Sequence, residues 1–381
     1  MAVRCGSKTL TAISFNQDGS CVVACTHKGI KIFSTESYEI VRDLGLGPTN
    51  IAAMLYCTGF LAFTGTGEKS SPRQITLYNS VTRSVIRNHQ LPTTVLNLQL
   101  NRQYMAAVLE QKTIIYTIGE NVDLLCSIPT PPNPRGVAAL SLTPPSPRSS
   151  PLSPSSSSPN KVLLAIPGDQ SKGIIHVHDI SQKGEGSVLE IDAHQTPLGL
   201  LVWSLDGTML ASASVKGTVI RIFDALQGTK LFTLRRGTKP ARITSMAFSS
   251  PRKDSPTLLC VASERGNVHI FRLTDTSARH PARSVARTMF LAIAHKTPTC
   301  SGDRIAKIEL PCKLGTAAVC TFRSLPKSEV AVEGGNKNKE EQEELKIQVA
   351  TSEGICYQYS ITDVTGKGAA QTSLEGQWVF A

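Results

Sequence analysis

One frame recurs seven times along the 381 residues, and that recurrence limits what the chain can fold into more than any other feature. Its clearest copy runs Trp203-Ser-Leu-Asp-Gly-Thr-Met-Leu-Ala-Ser-Ala-Ser-Val-Lys-Gly-Thr-Val-Ile-Arg-Ile-Phe223. A turn leads into a strand of small residues, a second turn follows at Lys216-Gly217, and an alternating β-branched strand ends on Phe223. The same order returns at 15–33 and at 258–271, where Ser263-Glu-Arg-Gly266 precedes Asn267-Val-His-Ile-Phe271. Weaker copies lie at 60–78, 100–118, 162–178 and 347–359.

Short strands of period two, bounded by Gly, Asp, Asn or Ser and without long amphipathic helices between them, predict an all-β chain. Seven such four-stranded units predict a single seven-bladed β-propeller over 1–381, because radial closure protects sheet edges. A pair of β-sandwich domains is the structural competitor. The Trp-Asp dipeptide of the commonest propeller repeat is missing, and the two tryptophans are Trp203 and Trp378.

Lys and Arg number 40 against 29 Asp and Glu, a formal charge of +11. That balance favours an anionic partner, either a membrane surface or nucleic acid. Aromatics make up 5% of the chain and no basic stretch is interleaved with stacking residues, which argues against nucleic acid. Residues 1–11 hold no apolar core of a secretory signal. The longest apolar run, 51–63, contains Cys57, Thr58 and Gly59 and is too short to cross a bilayer. A membrane would be met from outside. The ten cysteines include no C-x-x-C pair; they read as reduced, buried thiols, with a structural zinc site as the alternative. No nucleophile elbow, phosphate-cradling Gly-rich loop, H-E-x-x-H or metal-spaced cluster is present, so a non-enzymatic protein without metal or cofactor is expected.

Three segments interrupt the repeats. Residues 143–160 hold six prolines and eight serines, with Ser-Pro steps at Ser146, Ser150, Ser153 and Ser158. That composition predicts a disordered surface-loop insertion, read as a passive linker or as a phosphorylation target. Residues 326–344 end in a charged run and predict a flexible loop. Residues 274–303 differ in kind: Arg279, Arg283 and Arg287 would share one helix face, and Met289-Phe-Leu-Ala-Ile293 follows. Charge that finds anionic lipid, then apolar side chains that enter it, is what a membrane-touching segment needs. The same apolar residues would equally suit a propeller strand.

After the best copy of the repeat, the apolar stretch 230–234 runs into Arg235-Arg236-Gly237. Neighbours on an extended strand point in opposite directions, so the two arginines should face separate places. Each guanidinium is a planar fork that fits phosphate oxygens and stays charged. Two anion pockets, one per side, are one reading; a solvated strand end is the other.

The segment Ser212-Ala-Ser-Val-Lys-Gly-Thr-Val-Ile-Arg-Ile-Phe223, followed by Leu234-Arg-Arg-Gly237, resembles the core of the PROPPIN family. Its members are seven-bladed β-propellers that bind phosphoinositides, and they include the WIPI proteins of autophagy. The resemblance extends through Asn133-Pro-Arg-Gly136, Ala139-Leu-Ser141, Ala193-His194, Pro197-Leu198 and Val268-His-Ile-Phe271, with Leu234 standing where Phe is usual. It implies two headgroup pockets on the rim of blades five and six. The first would use His194, Ser212, Ser214, Gly217, Thr218, Arg221 and Arg235. The second would use Arg236, Ser263, Asn267 and His269, Asn267 replacing the Thr or Ser that members often carry. The resemblance also makes 274–303 the membrane-contacting loop of blade six, with Met289, Phe290, Leu291 and Ile293 entering the bilayer.

The function so implied is docking on membranes that carry phosphatidylinositol 3-phosphate or 3,5-bisphosphate, and recruitment of autophagy machinery. That machinery would be a large lipid-transfer partner or the apparatus that lipidates a ubiquitin-like protein. A monomer is expected, cytoplasmic and peripherally bound to preautophagosomal and endosomal or vacuolar membranes. A generic propeller scaffold with incidental arginines is the alternative.

Overall fold

The computed structural model describes residues 2–5, 10–67, 70–142, 161–181, 189–252, 255–274, 300–325, 344–365 and 368–381. Residues 143–160, most of 274–303 and most of 326–344 lie outside them, as do Met289, Phe290, Leu291 and Ile293. Seven antiparallel sheets follow one another along the chain, and no helix occurs among the described residues. The fold is a seven-bladed β-propeller, and the β-sandwich alternative falls.

Blade one comprises Leu10–Phe15, Cys21–Thr26, Ile30–Ser34 and Ile40–Leu44. Blade two comprises Thr49–Met54, Phe60–Gly65, Gln74–Asn79 and Ser84–Gln90. Blade three comprises Asn97–Leu100, Tyr104–Val108, Lys112–Ile118 and Val122–Pro129. Blade four comprises Ala139–Leu140, Leu163–Pro167, Gly173–Asp179 and Leu189–His194. Blade five comprises Leu198–Trp203, Met209–Ser214, Val219–Asp224 and Lys230–Arg235. Blade six comprises Ile243–Phe248, Thr257–Ser263, Asn267–Leu273 and Asp303–Glu309. Blade seven comprises Ala318–Leu325, Glu344–Thr351, Ile355–Thr362 and Gln371–Val379.

The repeat noted in the sequence is the pair of middle strands in each blade. These strands are buried on both faces because each sheet is sandwiched between its neighbours, which is why they read as near-continuous apolar runs. The fourth strand of a blade meets solvent; Ser84–Gln90 is exposed along almost its whole length.

Two sheets gain a fifth strand. Val3–Arg4 pairs with the inner strand of blade one, and Arg4 Nη2 reaches the carbonyls of Val95 and Leu96, each at 3.3 Å. Cys300–Ser301 pairs in parallel with the outer strand of blade five. At two residues each, these strands are too short for any periodicity to announce. Cys5, Cys21, Cys25, Cys57, Cys126, Cys260, Cys312, Cys320 and Cys356 are free thiols, and burial pushes those of Cys25 and Cys356 up to about 12.

Candidate functional site

Blade five looks two ways. Leu210 and Phe223 pack with Ile191 and Ala193 of blade four. Ala211, Ala213, Ile220, Ile222, Phe232 and Leu234 pack with Leu259, Val261 and Phe271 of blade six. Strand alternation then sets Ser212, Ser214, Arg221 and Arg235 on the side of blade four, with Ser212 opposite Arg221 and Val219 opposite Arg235.

In the groove between blades four and five the polar groups form a closed relay. Arg221 Nη1 donates to Ala193 O at 2.6 Å and to His194 Nδ1 at 3.0 Å. A ring that accepts at Nδ1 keeps its proton on Nε2, which donates to Ser212 Oγ at 2.9 Å. The Ser212 hydroxyl in turn donates to Arg221 O at 3.3 Å. Burial first, and then the charge of Arg221, push His194 down to about 4, so it stays neutral at pH 7 as the relay requires. His194 therefore orients Arg221 and adds no charge of its own. Ser214 is buried and its carbonyl accepts from Gly217 N at 2.9 Å. Arg235 is exposed and, among the described residues, forms no side-chain hydrogen bond or ion pair. Glu190, Asp192 and Lys230 complete the groove wall around His194 and Arg221.

One residue on, the chain turns to the other side. Arg236 N donates to Thr218 O at 2.9 Å, Nε to Gly217 O at 2.6 Å and Nη2 to Lys239 O at 2.5 Å. The guanidinium side chain is buried, held by the turn that Gly217 makes at φ +56°. On blade six, Ser263 pairs with Asn267 and Val261 with His269, so these residues share the face that Val261 turns toward blade five. Ser263 Oγ and His269 Nδ1 are buried and, among the described residues, find no hydrogen-bond partner. Burial, then Arg304, Arg236 and Lys307, push His269 down to about 4. Lys307 stands directly opposite His269 in the strand register. Asn267 is half-buried at the end of the same face.

Nine of the eleven predicted pocket residues thus divide as expected between two grooves that flank blade five, whereas Gly217 and Thr218, expected in the first, make their contacts with Arg236 and the Ala241 connection on the blade-six side. Arg304 and Lys307 were missed by sequence reasoning. They come from a strand beyond the blade-six insertion, and only the pairing register brings them to His269. Among the described residues, Ser263 Oγ and His269 Nδ1 thus lack hydrogen-bond partners and three cations gather about the imidazole, an excess of positive charge of the kind that suits an anion. Among the described residues no group of His, Cys, Asp and Glu is placed to hold a metal, and no helix is long and apolar enough to cross a membrane.

The PROPPIN family model matches residues 9–335. An autophagy-related protein 18 of Mycosarcoma maydis is 37% identical over 281 residues, 71% of this chain and 60% of that one. One of Yarrowia lipolytica is 35% identical over 313 residues, 78% of this chain and 74% of that one. The chain therefore spans less than two thirds of the length of the Mycosarcoma relative. Among solved structures, Kluyveromyces lactis Hsv2 aligns with a TM-score of 0.71 at 18% identity, over 97% of this chain and 98% of that one. A complex of KlAtg21 with the coiled coil of AgAtg16 aligns with a TM-score of 0.64 at 20% identity, over 100% of both chains. With the family model matched along most of its length and curated relatives above one-third identity, the chain belongs to the PROPPIN family.

Proposed function

We propose that the protein is a non-enzymatic phosphoinositide effector of autophagy, docking on membranes that bear phosphatidylinositol 3-phosphate or 3,5-bisphosphate. The observation that carries this reading is the parting of two adjacent arginines. Arg235 stands exposed on the side of blade four, while Arg236 is buried on the side of blade six, where it acts on His269, whose Nδ1 has no hydrogen-bond partner among the described residues. Together the grooves supply guanidinium groups, serine hydroxyls and turn backbone, the donor set that suits phosphate oxygens. Two headgroup contacts on one rigid rim act together, because the second forms intramolecularly once the first is made. Firm binding to lipid in a bilayer and feeble binding to a soluble headgroup follow. The apolar 289–293 stretch would add a third contact by entering the bilayer.

The names of the curated relatives support a role in autophagy, and the coiled-coil complex among the solved neighbours supports a protein partner from that machinery. The partner would be the lipid-conjugation apparatus or a lipid-transfer protein. The location would be cytoplasmic, peripheral on preautophagosomal and endosomal or vacuolar membranes.

Flotation with vesicles carrying phosphatidylinositol, its 3-phosphate or its 3,5-bisphosphate tests the reading. Wild type and an Arg235→Thr/Arg236→Thr variant would be compared, with circular dichroism to verify folding. Binding to the phosphorylated lipids alone, lost in the folded variant, is expected. Equal binding to all vesicles, or binding untouched by the double substitution, would overturn it.

A further inference from the structure

The groove between blades five and six is crossed by the chain itself. Cys300–Ser301 lies parallel to the outer strand of blade five, with Phe232 opposite Cys300 and Thr233 opposite Ser301. Asp303 already belongs to blade six, opposite Arg272. Gly302 is the single residue that joins the two blades. A Cβ there would lie 2.3 Å from Leu234 Cδ2, 3.1 Å from Arg272 O and 3.4 Å from Leu273 Cδ2. The backbone is thus pressed at once against a blade-five side chain and a blade-six carbonyl. Leu234 is fully buried among Phe232, Ile220 and Phe271, so displacing its side chain disturbs a packed interface.

Both halves of the second groove hang from the ends of this crossing. Arg235 and Arg236 follow directly on Leu234, and Arg304 follows two residues after Gly302 and acts on His269. Elsewhere around the ring, among the described residues, neighbouring blades meet through side-chain packing, side-chain hydrogen bonds such as Arg87 to Val122 O and Arg221 to Ala193 O, and the blade-to-blade connections. Here a covalent strap ties the outer edge of one blade to the next.

We infer that Gly302 is a positioning residue for anion binding in the groove between blades five and six, fixing the distance between Arg236 and the His269–Arg304 wall. The inference rests on the phosphoinositide reading given above. A phosphate gripped from two blades tolerates a misplacement of only about 0.5 Å, so a side chain wedged at the strap would be felt in the groove.

Affinity for phosphatidylcholine vesicles with and without phosphatidylinositol 3-phosphate would be measured for Gly302→Ala alone and combined with Arg235→Thr or Arg236→Thr. A loss on the order of tenfold is expected for Gly302→Ala, as for removal of one of two linked contacts. No further loss should appear on Arg236→Thr, whereas the loss should persist on Arg235→Thr. Leu234→Val, which removes the clashing methyl, should restore binding to Gly302→Ala, and urea melts would show that each variant folds. Wild-type affinity in Gly302→Ala, or equal losses on both arginine backgrounds, would overturn the positioning role while leaving the lipid reading intact. A wild-type protein indifferent to the phosphorylated lipid would overturn both.

Discussion

His194 and His269 hold protons equally weakly, yet they stand in opposite situations. The first has both ring nitrogens engaged, with Arg221 and Ser212; the second has a buried nitrogen with no partner and three cations near it. Both would titrate near 6.5 in the unfolded chain and near 4 in the fold. As the pH falls through 6.5 the unfolded chain takes up protons that the folded one refuses. Their contribution to stability is therefore complete above 6.5 and is lost on the way down to about 4. Each group costs the fold about 1.4 kcal/mol for every pH unit crossed. Thermal melts between pH 7 and 5 should show a falling midpoint, and His269→Gln should flatten part of the fall, the rest belonging to His194 and to His89 and His178, which burial also pushes down. An unchanged slope in that variant would mean that the groove is not the source. At this scale the sequence named the two imidazoles through motif resemblance, but the relay that neutralises one of them was beyond it. That relay joins Ala193 and His194 on one blade to Ser212 and Arg221 on the next, and only inter-blade packing sets its distances.

The element that organises the groove between blades five and six is the turn between the middle strands of blade five. Gly217 takes φ +56°, and a Cβ there would lie 2.0 Å from Ala241 O, a backbone atom of the connection to blade six. Its own carbonyl receives Arg236 Nε, and the next carbonyl, of Thr218, receives Arg236 N. Gly217→Ala therefore carries a left-handed backbone penalty and a clash that only a shift of the connection can relieve. A destabilisation of about 1–3 kcal/mol is expected in urea melts. Vesicle binding should fall with it, and a substitution that leaves both stability and binding at wild-type values would refute this account. Sequence reasoning found the turn because Lys216-Gly217 interrupts two strands of clear alternation. It missed the strand Cys300–Ser301, whose existence depends on an edge that blade five offers and not on any pattern within the residues themselves.

Across the whole molecule, the order of blades was legible because each is built from four strands taken in chain order, interrupted in blade six by Cys300–Ser301, and that same order leaves a question of closure. Among the described residues, blade one is built from 10–44 with the inner Val3–Arg4 pair and blade seven from 318–379, so no described strand is shared where the ring closes. Side chains do the closing. Arg323 Nη1 donates to Thr35 Oγ1 at 2.8 Å and its other nitrogen pairs with Glu36. The Tyr38 ring stacks on Trp378 at 3.8 Å and 9°, and its hydroxyl donates to Gln358 Oε1 at 3.1 Å. Tyr38 takes a left-handed φ of 59° to reach that position, a conformation a non-glycine residue holds only where its surroundings over-determine it. Behind the stack, Phe33, Val319, Ala350 and Phe380 share one apolar cluster. Tyr38→Ala and Trp378→Ala should each destabilise the ring, with a coupling of about 1 kcal/mol in the double-mutant cycle. Amide exchange should quicken in the strands of blades one and seven. Flotation on phosphoinositide vesicles should stay at the wild-type level under conditions where the variants are folded, because both grooves are built on blade five and its two neighbours. Exchange that quickens evenly around all seven blades would instead mean that the ring opens as one cooperative unit, with no weak point at the seam.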